Sequence, residues 1–256
     1  MSKNDTPRDM TRSILFDMDG VILDSMPYHV RAWQEALSEH GFSVSAELLY
    51  LHEGAIEPDT AAAIFQGNER FIDADIFHEI LERQMEIFAT RYQSMIKPFP
   101  RVPQILRRLS EAGWQLALVT SSHVEILKKV LPPEIKSYMD HIVTGDQVSR
   151  RKPFPDPFLA ALSALGQGPE ACLVVENAPA GIMAAKAAAL HCVALTTTLS
   201  EEYLSEADAV LNSHAELSDY LFECNYSLSP LTANSLFQVS KHNPLGIRIL
   251  VQSARG

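Results

Sequence analysis

The feature that most constrains the fold is a short apolar run near the N-terminus that ends in two acids and a glycine. The run begins at Ile14, and Asp17, Asp19 and Gly20 stand at its end. Apolar residues that give way abruptly to polar ones are typical of a parallel strand covered on both faces, and open α/β sheets bind ligands beyond the carboxyl ends of such strands. We therefore expect a parallel α/β sheet with both acids at its ligand-binding edge.

The two acids suggest a cation. Side chains at i and i+2 of an extended strand share a face, so the carboxylates of Asp17 and Asp19 repel each other unless a positive charge lies beside them. A divalent metal is the obvious candidate. Gly20 permits a substrate-binding turn close to a bound anion, where a Cβ would obstruct it. The alternative for so short a motif is a strand end whose solvated acids close a turn.

Composition excludes several classes of protein. The 256 residues, 46% of them apolar, allow one large domain or a core with an insert. A net charge of −11 argues against nucleic acid or an anionic membrane as the main partner. Cys172, Cys192 and Cys224 lack CxxC spacing and are expected to be reduced. The polar segment 1–12 and the lack of a long apolar run predict a cytoplasmic protein. We expect a monomer or a weak homodimer.

Apolar periodicity divides the chain into two kinds of segment. After a strand at 13–17, apolar residues recur at three- and four-residue spacing, which predicts helices at 28–40, 46–52, 59–66 and 74–95. From 98 onward, a helix at 102–111 precedes alternating strands and helices, as in a parallel sheet with right-handed crossovers. Strands are predicted at 115–120, 141–143, 172–176, 192–195 and 209–211.

These segments predict an α/β core domain with an inserted all-helical cap domain. The core takes 13–24 and 98–223, and the cap takes 25–97. A flexible leader at 1–12 precedes the core. The tail, 224–256, has no assigned structure; its segment 246–251 fits either an extra edge strand or a poorly ordered end.

Three further polar motifs stand at the ends of predicted strands. They are Thr120-Ser121-Ser122, Lys152 between Arg151 and Pro153, and Glu176-Asn177. With Asp17-Met18-Asp19-Gly20 before them, and in this order over 13–223, they resemble the haloacid dehalogenase-like hydrolase superfamily. The resemblance implies a Rossmann-like parallel sheet with a cap, and a phosphoryl-transfer site at the strand ends.

The resemblance gives the two acids distinct catalytic roles. It implies that Asp17 is the nucleophile that attacks phosphorus and forms an aspartyl-phosphate, because a carboxylate stays ionised at neutral pH. It implies that Asp19 is the general acid and base, which requires a raised pKa. The alternative for Asp19 is a structural acid that caps the following loop.

The second and third motifs supply groups for the phosphoryl oxygens. Thr120, catalytic by resemblance, and Ser121, substrate-binding, offer hydroxyl and backbone donors at a strand end, although a Thr-Ser-Ser run is most often a helix N-cap. The resemblance implies that Lys152 neutralises Asp17 and the phosphoryl group. Arg150 and Arg151 are expected at the surface.

The fourth motif implies a magnesium site. Mg²⁺ needs hard oxygen ligands and normally retains waters. By resemblance the ligands are Asp17, the carbonyl of Asp19 and one side chain of the Glu176 and Asn177 pair. Many relatives carry a second acid where this chain has Asn177, and a glycine where it has Ala189.

Substrate class follows from the second acid and from the cap. Dehalogenases of the superfamily lack that acid and phosphonatases carry alanine there, so Asp19 indicates phosphate esters. The segment 24–33, which contains Tyr28-His29-Val30-Arg31-Ala32-Trp33, is similar to the opening of the β-phosphoglucomutase group and favours a sugar phosphate. His29 is expected to face the site as a substrate-binding residue, whereas Arg31 and Trp33 could simply brace the hinge.

The cap also separates hydrolysis from mutase chemistry. Glu57 stands near the position where the mutase carries an arginine that grips the non-reacting phosphate, so the loss of that clamp favours hydrolysis. His52 and Glu53 could contact a sugar hydroxyl. The sequence therefore predicts a magnesium-dependent phosphatase acting on a small phosphate ester. The alternatives are a β-phosphoglucomutase and a weakly active phosphosugar-binding protein.

Overall fold

A computed structural model describes residues 13–52 and 74–222. Predictions for 1–12, for the helix at 59–66, for Glu53, Glu57 and Cys224, and for the tail lie outside the described residues.

Within 13–52 and 74–222, six parallel strands form one sheet in the order β3-β2-β1-β4-β5-β6. They are β1 (Ser13–Phe16), β2 (Gln115–Val119), β3 (His141–Val143), β4 (Cys172–Glu176), β5 (His191–Leu195) and β6 (Ala209–Leu211). Every residue of β1 and β4 is buried, because the continuous apolar runs of these central strands are covered on both faces. The prediction of a parallel α/β core is confirmed, with strand ends shifted by at most one residue.

In the described ranges, helices cover both faces of the sheet and follow β1. They are α1 (Met26–Glu39), α2 (Ala46–Leu51), α3 (Ala74–Ile87), α4 (Val102–Glu111), α5 (Val124–Val130), α6 (Pro133–Ser137), α7 (Asp156–Leu165), α8 (Pro179–Ala187) and α9 (His214–Phe222). Short 3₁₀ turns lie at Gln93–Met95, Gly145–Gln147, Pro169–Ala171 and Glu201–Tyr203.

The helix predicted at 74–95 is not a single α-helix. Regular α3 ends at Ile87, and the chain continues as a π-helix over Phe88–Tyr92. The Thr90 hydroxyl donates to the carbonyl of Glu86 at 2.8 Å, and such side-chain bonds to a preceding turn distort helices. Apolar periodicity does not report this change.

Two apolar clusters hold the layers together. One includes Phe16, Leu118 and Val175 and extends without a break into α1 and α3, so the helical segment shares a core with one face of the sheet. The other packs Leu15 and Val174 against α7 and α8. Within the described ranges, no helix has the length and apolar character needed to cross a membrane.

The two connections to the helical segment run side by side. Leu23 pairs with Pro98 in an antiparallel bridge, and the backbone N–H of Asp24 donates to the carbonyl of Lys97 at 2.9 Å. The segment therefore leaves and rejoins the core at one point, directly beyond the end of β1.

Candidate active site

The centre of the site is an ion cluster at the carboxyl ends of β1 and β4. Asp17 directly follows β1 and Glu176 ends β4, and the register that pairs Phe16 with Val175 brings the two acids together. Lys152 reaches between them: its Nζ lies 2.6 Å from Asp17 Oδ1, 2.6 Å from Glu176 Oε1 and 3.0 Å from the carbonyl oxygen of Val119. All three ionisable side chains are buried. Three motifs far apart in sequence thus form one charged cluster.

The cluster sets the protonation of its own members. Burial raises the pKa of Asp17 to about 7, with Glu176 and Asp19 acting in the same direction and Lys152 opposing them. Burial alone would lower the pKa of Lys152, but Asp17 and Glu176 outweigh it and raise that pKa. Lys152 therefore stays charged. An additional cation beside Asp17 would favour its ionised, nucleophilic form.

Asp19 sits in a shell of donors. Its Oδ1 accepts from the Ser25 hydroxyl at 2.6 Å and lies 3.4 Å from His29 Nε2, and its Oδ2 accepts from the Ser122 hydroxyl at 3.0 Å. Burial raises the pKa of Asp19, but His29, Ser25 and Ser122 together outweigh it, so the pKa lies below its usual value. The raised pKa required by the sequence interpretation is therefore wrong for the free site, because these donors favour the carboxylate.

The loop after β2 brings further hydroxyls to the site. Thr120 is buried, and its Oγ1 accepts from the backbone N–H of Ser122 at 3.0 Å. Thr120, Ser121 and Ser122 line one cavity together with Asp17 and Asp19. The Ser121 hydroxyl is buried and has no hydrogen-bond partner among the described residues. The predicted placement of Thr120 and Ser121 at the site agrees with this geometry.

The carboxylate of Glu176 is bound by the backbone of the two following residues and packs against a glycine. Its Oε2 accepts from the backbone N–H groups of Asn177 at 3.0 Å and Ala178 at 3.4 Å. A Cβ on Gly181 would lie 1.8 Å from Glu176 Oε1, so only glycine lets α8 approach the carboxylate this closely.

Asn177 and Gly20 pack against each other outside the cavity lining. The Asn177 amide nitrogen donates to Thr198 Oγ1 at 3.1 Å, and neither Asn177 nor Gly20 lines the cavity. Gly20 has φ +89°, and a Cβ there would lie 2.2 Å from Asn177 Nδ2. The structure thus explains Gly20 by its backbone conformation and by packing against Asn177, not by contact with a ligand.

The donor chemistry of the cluster fits a small hard cation. Asp17 Oδ2 accepts no hydrogen bond from the described residues, while Oδ1 is bound to Lys152. The described residues contain no group of three or more His, Cys, Asp or Glu side chains arranged as a metal site, and the side chain of Asp19 is already bound by Ser25, Ser122 and His29. A carboxylate oxygen of Asp17 together with backbone carbonyl and water oxygens suits Mg²⁺, which retains waters in proteins.

A cavity of about 310 Å³ lies over the cluster, between the sheet and the helical segment. Its core wall includes Thr120, Ser121, Ser122, His123 and Arg151. From the helical segment come Met26, His29, Val30, Trp33, Leu49, Leu81, Gln84, Met85 and Phe88. The cavity is therefore charged at the sheet and mostly apolar opposite it.

The structure places the predicted substrate residues unevenly. His29 faces the site, as expected, and its ring stacks on Phe88 with centroids 4.0 Å apart. His52 is buried but does not line the cavity. The surface expectation for Arg151 is wrong: it is half-buried and lines the cavity, and its Nη2 lies 2.6 Å from His123 Nε2. Arg150 is exposed, as expected, and pairs with Asp156.

Several site residues escaped the sequence interpretation. Ser25 and Ser122 bind Asp19, and Gln84 lines the cavity. Ser122 belongs to the Thr-Ser-Ser run and follows Thr120 by two residues, so the sequence is sufficient to predict that it lies at the site. Gln84 is a polar residue at an apolar position of the helical repeat of α3, and this break in the pattern marks it in the sequence.

Comparisons with known proteins agree with this geometry. The family model described as haloacid dehalogenase-like hydrolase matches residues 11–189. Hexitol phosphatase A of Escherichia coli is 33% identical over 213 residues, which cover 81% of this chain and 93% of that protein. The fructose-1-phosphate phosphatase of the same organism is 30% identical over 185 residues, covering 70% and 94%.

A solved structure shares the fold. The putative β-phosphoglucomutase of Bacteroides vulgatus superposes with a TM-score of 0.70 at 28% identity, and the match covers 82% of this chain and 87% of that one. The matched family model spans Asp17, Lys152 and Glu176. The chain belongs to the haloacid dehalogenase-like hydrolase family.

Proposed function

We propose that the protein is a metal-dependent phosphatase that hydrolyses a phosphate monoester of a small sugar or sugar alcohol through an aspartyl-phosphate on Asp17. The observation that carries the proposal is the Lys152 ammonium group, which joins Asp17 to Glu176 in the floor of a cavity. An anion can approach a buried carboxylate only where positive charge compensates it. The phosphatase names of the relatives support the same reaction class.

Asp17 is the proposed nucleophile. Its Oδ2 attacks phosphorus, the bond from phosphorus to the ester oxygen breaks, and the phosphoryl group stays on Asp17. Thr120, Ser121 and Lys152 lie where they can donate hydrogen bonds to the phosphoryl oxygens. Because charge on these oxygens changes during transfer, fixed donors lower the barrier.

Asp19 is the proposed proton carrier. The departing alkoxide takes a proton from Asp19, and Asp19 later takes one from the water that hydrolyses the aspartyl-phosphate. The low pKa of Asp19 in the free site suits the second step. In the first step a bound phosphate anion, as a like charge nearby, raises that pKa and lets Asp19 hold the proton.

Magnesium is the proposed cofactor. Asp17, the carbonyl of Asp19 and the pair Glu176 and Asn177 remain the proposed protein side of its site. These residues would supply the hard oxygen ligands that Mg²⁺ prefers. When bound, the ion shields the charge of the phosphate from the carboxylate of Asp17.

We also propose a two-domain organisation for the protein. The cap at 25–97, with Glu53 in a substrate-binding role, closes over the core at 13–24 and 98–223. We propose a small-molecule phosphate ester as the partner, with neither nucleic acid nor membrane, a monomer or weak homodimer, and a cytoplasmic location.

Release of inorganic phosphate from hexose, hexitol and pentose monophosphates tests the proposal. Each assay is run with Mg²⁺ and with chelator, for the wild type, for Asp17→Asn, and for Asp75→Asn in the exposed first turn of α3 as a matched control. We expect release that requires both Mg²⁺ and Asp17, and full activity of Asp75→Asn. Interconversion of glucose 1-phosphate and 6-phosphate faster than release would favour the mutase. Binding without turnover would favour a phosphosugar-binding protein.

A further inference from the structure

The buried stripe of α3 contains one polar residue. Its members are Phe77, Ile80, Gln84 and Ile87, spaced three and four residues apart. This is the periodicity of the side of a helix that packs into a core. Gln84 is only 6% exposed. A leucine would complete the stripe, so the amide is a departure from the pattern that the fold itself does not require.

No side-chain hydrogen bond of Gln84 is present in the part of the chain that the structure describes, and the residue reaches the surface of the cavity. Buried polar groups are nearly always hydrogen-bonded, because losing contact with water without compensation is unfavourable. Gln84 lines the cavity above Asp17. The amide is therefore available to a hydrogen-bonding group of a molecule in the cavity.

The surroundings of Gln84 indicate the chemistry of that partner. Apart from His29, the described residues by which the helical segment lines the cavity carry no ionisable group. An amide offers one acceptor oxygen and two donor hydrogens. A hydroxyl can use both kinds of group, whereas a second phosphate or carboxylate would use only the donors and would find no compensating cation among the described residues of this wall.

Trp33 adds an apolar face to the same wall. Its ring lines the cavity and stacks on Phe77 with centroids 6.3 Å apart, which fixes its orientation. Rigid aromatic faces pack well against C–H groups. A carbon chain that carries hydroxyls matches a wall with one amide and one aromatic face.

We propose that the Gln84 amide binds a hydroxyl of the leaving group and thereby selects monophosphates of uncharged polyhydroxy compounds. This inference rests on the proposed phosphatase function and defines its substrate class. Gln84 is a specificity-determining residue in this proposal, remote from the reacting phosphorus. Arg151 lies on the opposite wall, against His123, and does not serve this contact.

The test compares the wild type with Gln84→Leu on sorbitol 6-phosphate, on p-nitrophenyl phosphate, which has no hydroxyl, and on fructose 1,6-bisphosphate. We expect Gln84→Leu to lose about tenfold or more in kcat/KM on sorbitol 6-phosphate, because a neutral hydrogen bond is lost. Activity on p-nitrophenyl phosphate should stay within about twofold. The wild type should prefer sorbitol 6-phosphate to the bisphosphate.

Stability gives a second readout. Because leucine completes the apolar stripe, Gln84→Leu should keep or raise Tm, which a purely structural glutamine would not allow. Glu82→Leu, on the exposed side of α3, is the matched control and should keep the wild-type selectivity. Equal losses on sorbitol 6-phosphate and p-nitrophenyl phosphate, or no loss on either, would overturn the inference.

The inference can fail separately from the proposed function. If the wild type hydrolyses esters but Gln84→Leu keeps its preference for sorbitol 6-phosphate, only the inference fails. If the wild type releases no phosphate, the phosphatase proposal fails. The rise in Tm caused by sorbitol 6-phosphate then still decides the role of Gln84: it should be smaller in Gln84→Leu, and an equal rise contradicts the proposed contact.

Discussion

The Nζ of Lys152 lies 2.6 Å from Oδ1 of Asp17, although 135 residues separate them in the sequence. The same Nζ lies 2.6 Å from Glu176 Oε1. One buried cation thus holds two buried acids from neighbouring strands in the centre of the sheet. Its removal leaves two buried like charges facing each other without the cation that compensates them.

Lys152→Met should therefore damage both stability and activity. We expect a loss of about 3–5 kcal/mol in the free energy of unfolding at neutral pH, as for other broken buried pairs, and phosphate release below detection. The stability deficit should shrink as the pH falls, because protonation of Asp17 removes part of the repulsion. Urea unfolding at several pH values measures it.

Arg150→Met is the control for this prediction. Arg150 forms an exposed pair with Asp156, so its loss should change stability by at most about 1 kcal/mol. Equal stability of the two variants would mean that the buried cluster is not held together by Lys152.

Gly181→Ala should inactivate the protein through Glu176. The added Cβ would overlap Glu176 Oε1 and push the carboxylate away from Lys152. Overpacking of this kind destabilises by about 1–3 kcal/mol. Gly113→Ala is a matched variant: it has φ +77° and open space around it, so it should lose about 1–2 kcal/mol by backbone strain alone. Assays of phosphate release should find Gly113→Ala active and Gly181→Ala inactive; comparable activities would contradict the role given to Glu176.

Ala189→Gly should stabilise the protein. Ala189 follows α8 with φ +58°, the left-handed region, where a Cβ costs about 1–2 kcal/mol. Glycine removes this strain but gains about 0.5–1 kcal/mol of unfolded-chain entropy. A net gain of about 0.5–1 kcal/mol is expected from urea unfolding. The neighbouring Ala188→Gly, where φ is −86°, should be destabilising; the opposite order would refute the strain argument.

Buried histidines should make stability fall in acid. Burial lowers the pKa values of His52 and His214. Below the unfolded value of about 6.5, the unfolded chain binds protons that the folded chain does not, so the free energy of unfolding decreases as the pH falls. The raised pKa of Asp17 acts in the opposite sense, so the comparison of variants with the wild type carries the test.

His214→Gln isolates one of these contributions. His214 Nε2 lies 2.7 Å from the carbonyl oxygen of Val21, a contact that glutamine can make without titrating. The variant should lose less stability than the wild type between pH 7 and pH 5. His78→Gln, whose side chain is 71% exposed in the wild type, should follow the wild-type curve. Coincident curves for all three proteins would contradict the prediction.

The fold and the centre of the site could be predicted because strong local signals mark them. Apolar runs located all six strands, and polar residues at their ends located Asp17, Thr120 and Glu176. The positions of side chains that are set by tertiary contacts could not be predicted from local patterns. Arg151 has the local pattern of a surface charge, yet the turn before α7 directs it into the cavity.

Electrostatics was the least predictable property. The general acid and base role of Asp19 requires a raised pKa. The pKa is instead lowered, because His29, Ser25 and Ser122 bind the carboxylate. Ser25 and His29 lie at the start of the helical segment, and Ser122 lies in the loop after β2. The spacing of residues along one strand does not predict a pKa that is set by contacts from other segments.

The most direct test of the central claim is rapid-quench mass spectrometry of the protein during turnover of its best phosphate ester with Mg²⁺. The account predicts one added phosphoryl group on the peptide that contains Asp17, and none in Asp17→Asn. Turnover without this adduct in the wild type, or full turnover by Asp17→Asn, would contradict Asp17 as the nucleophile.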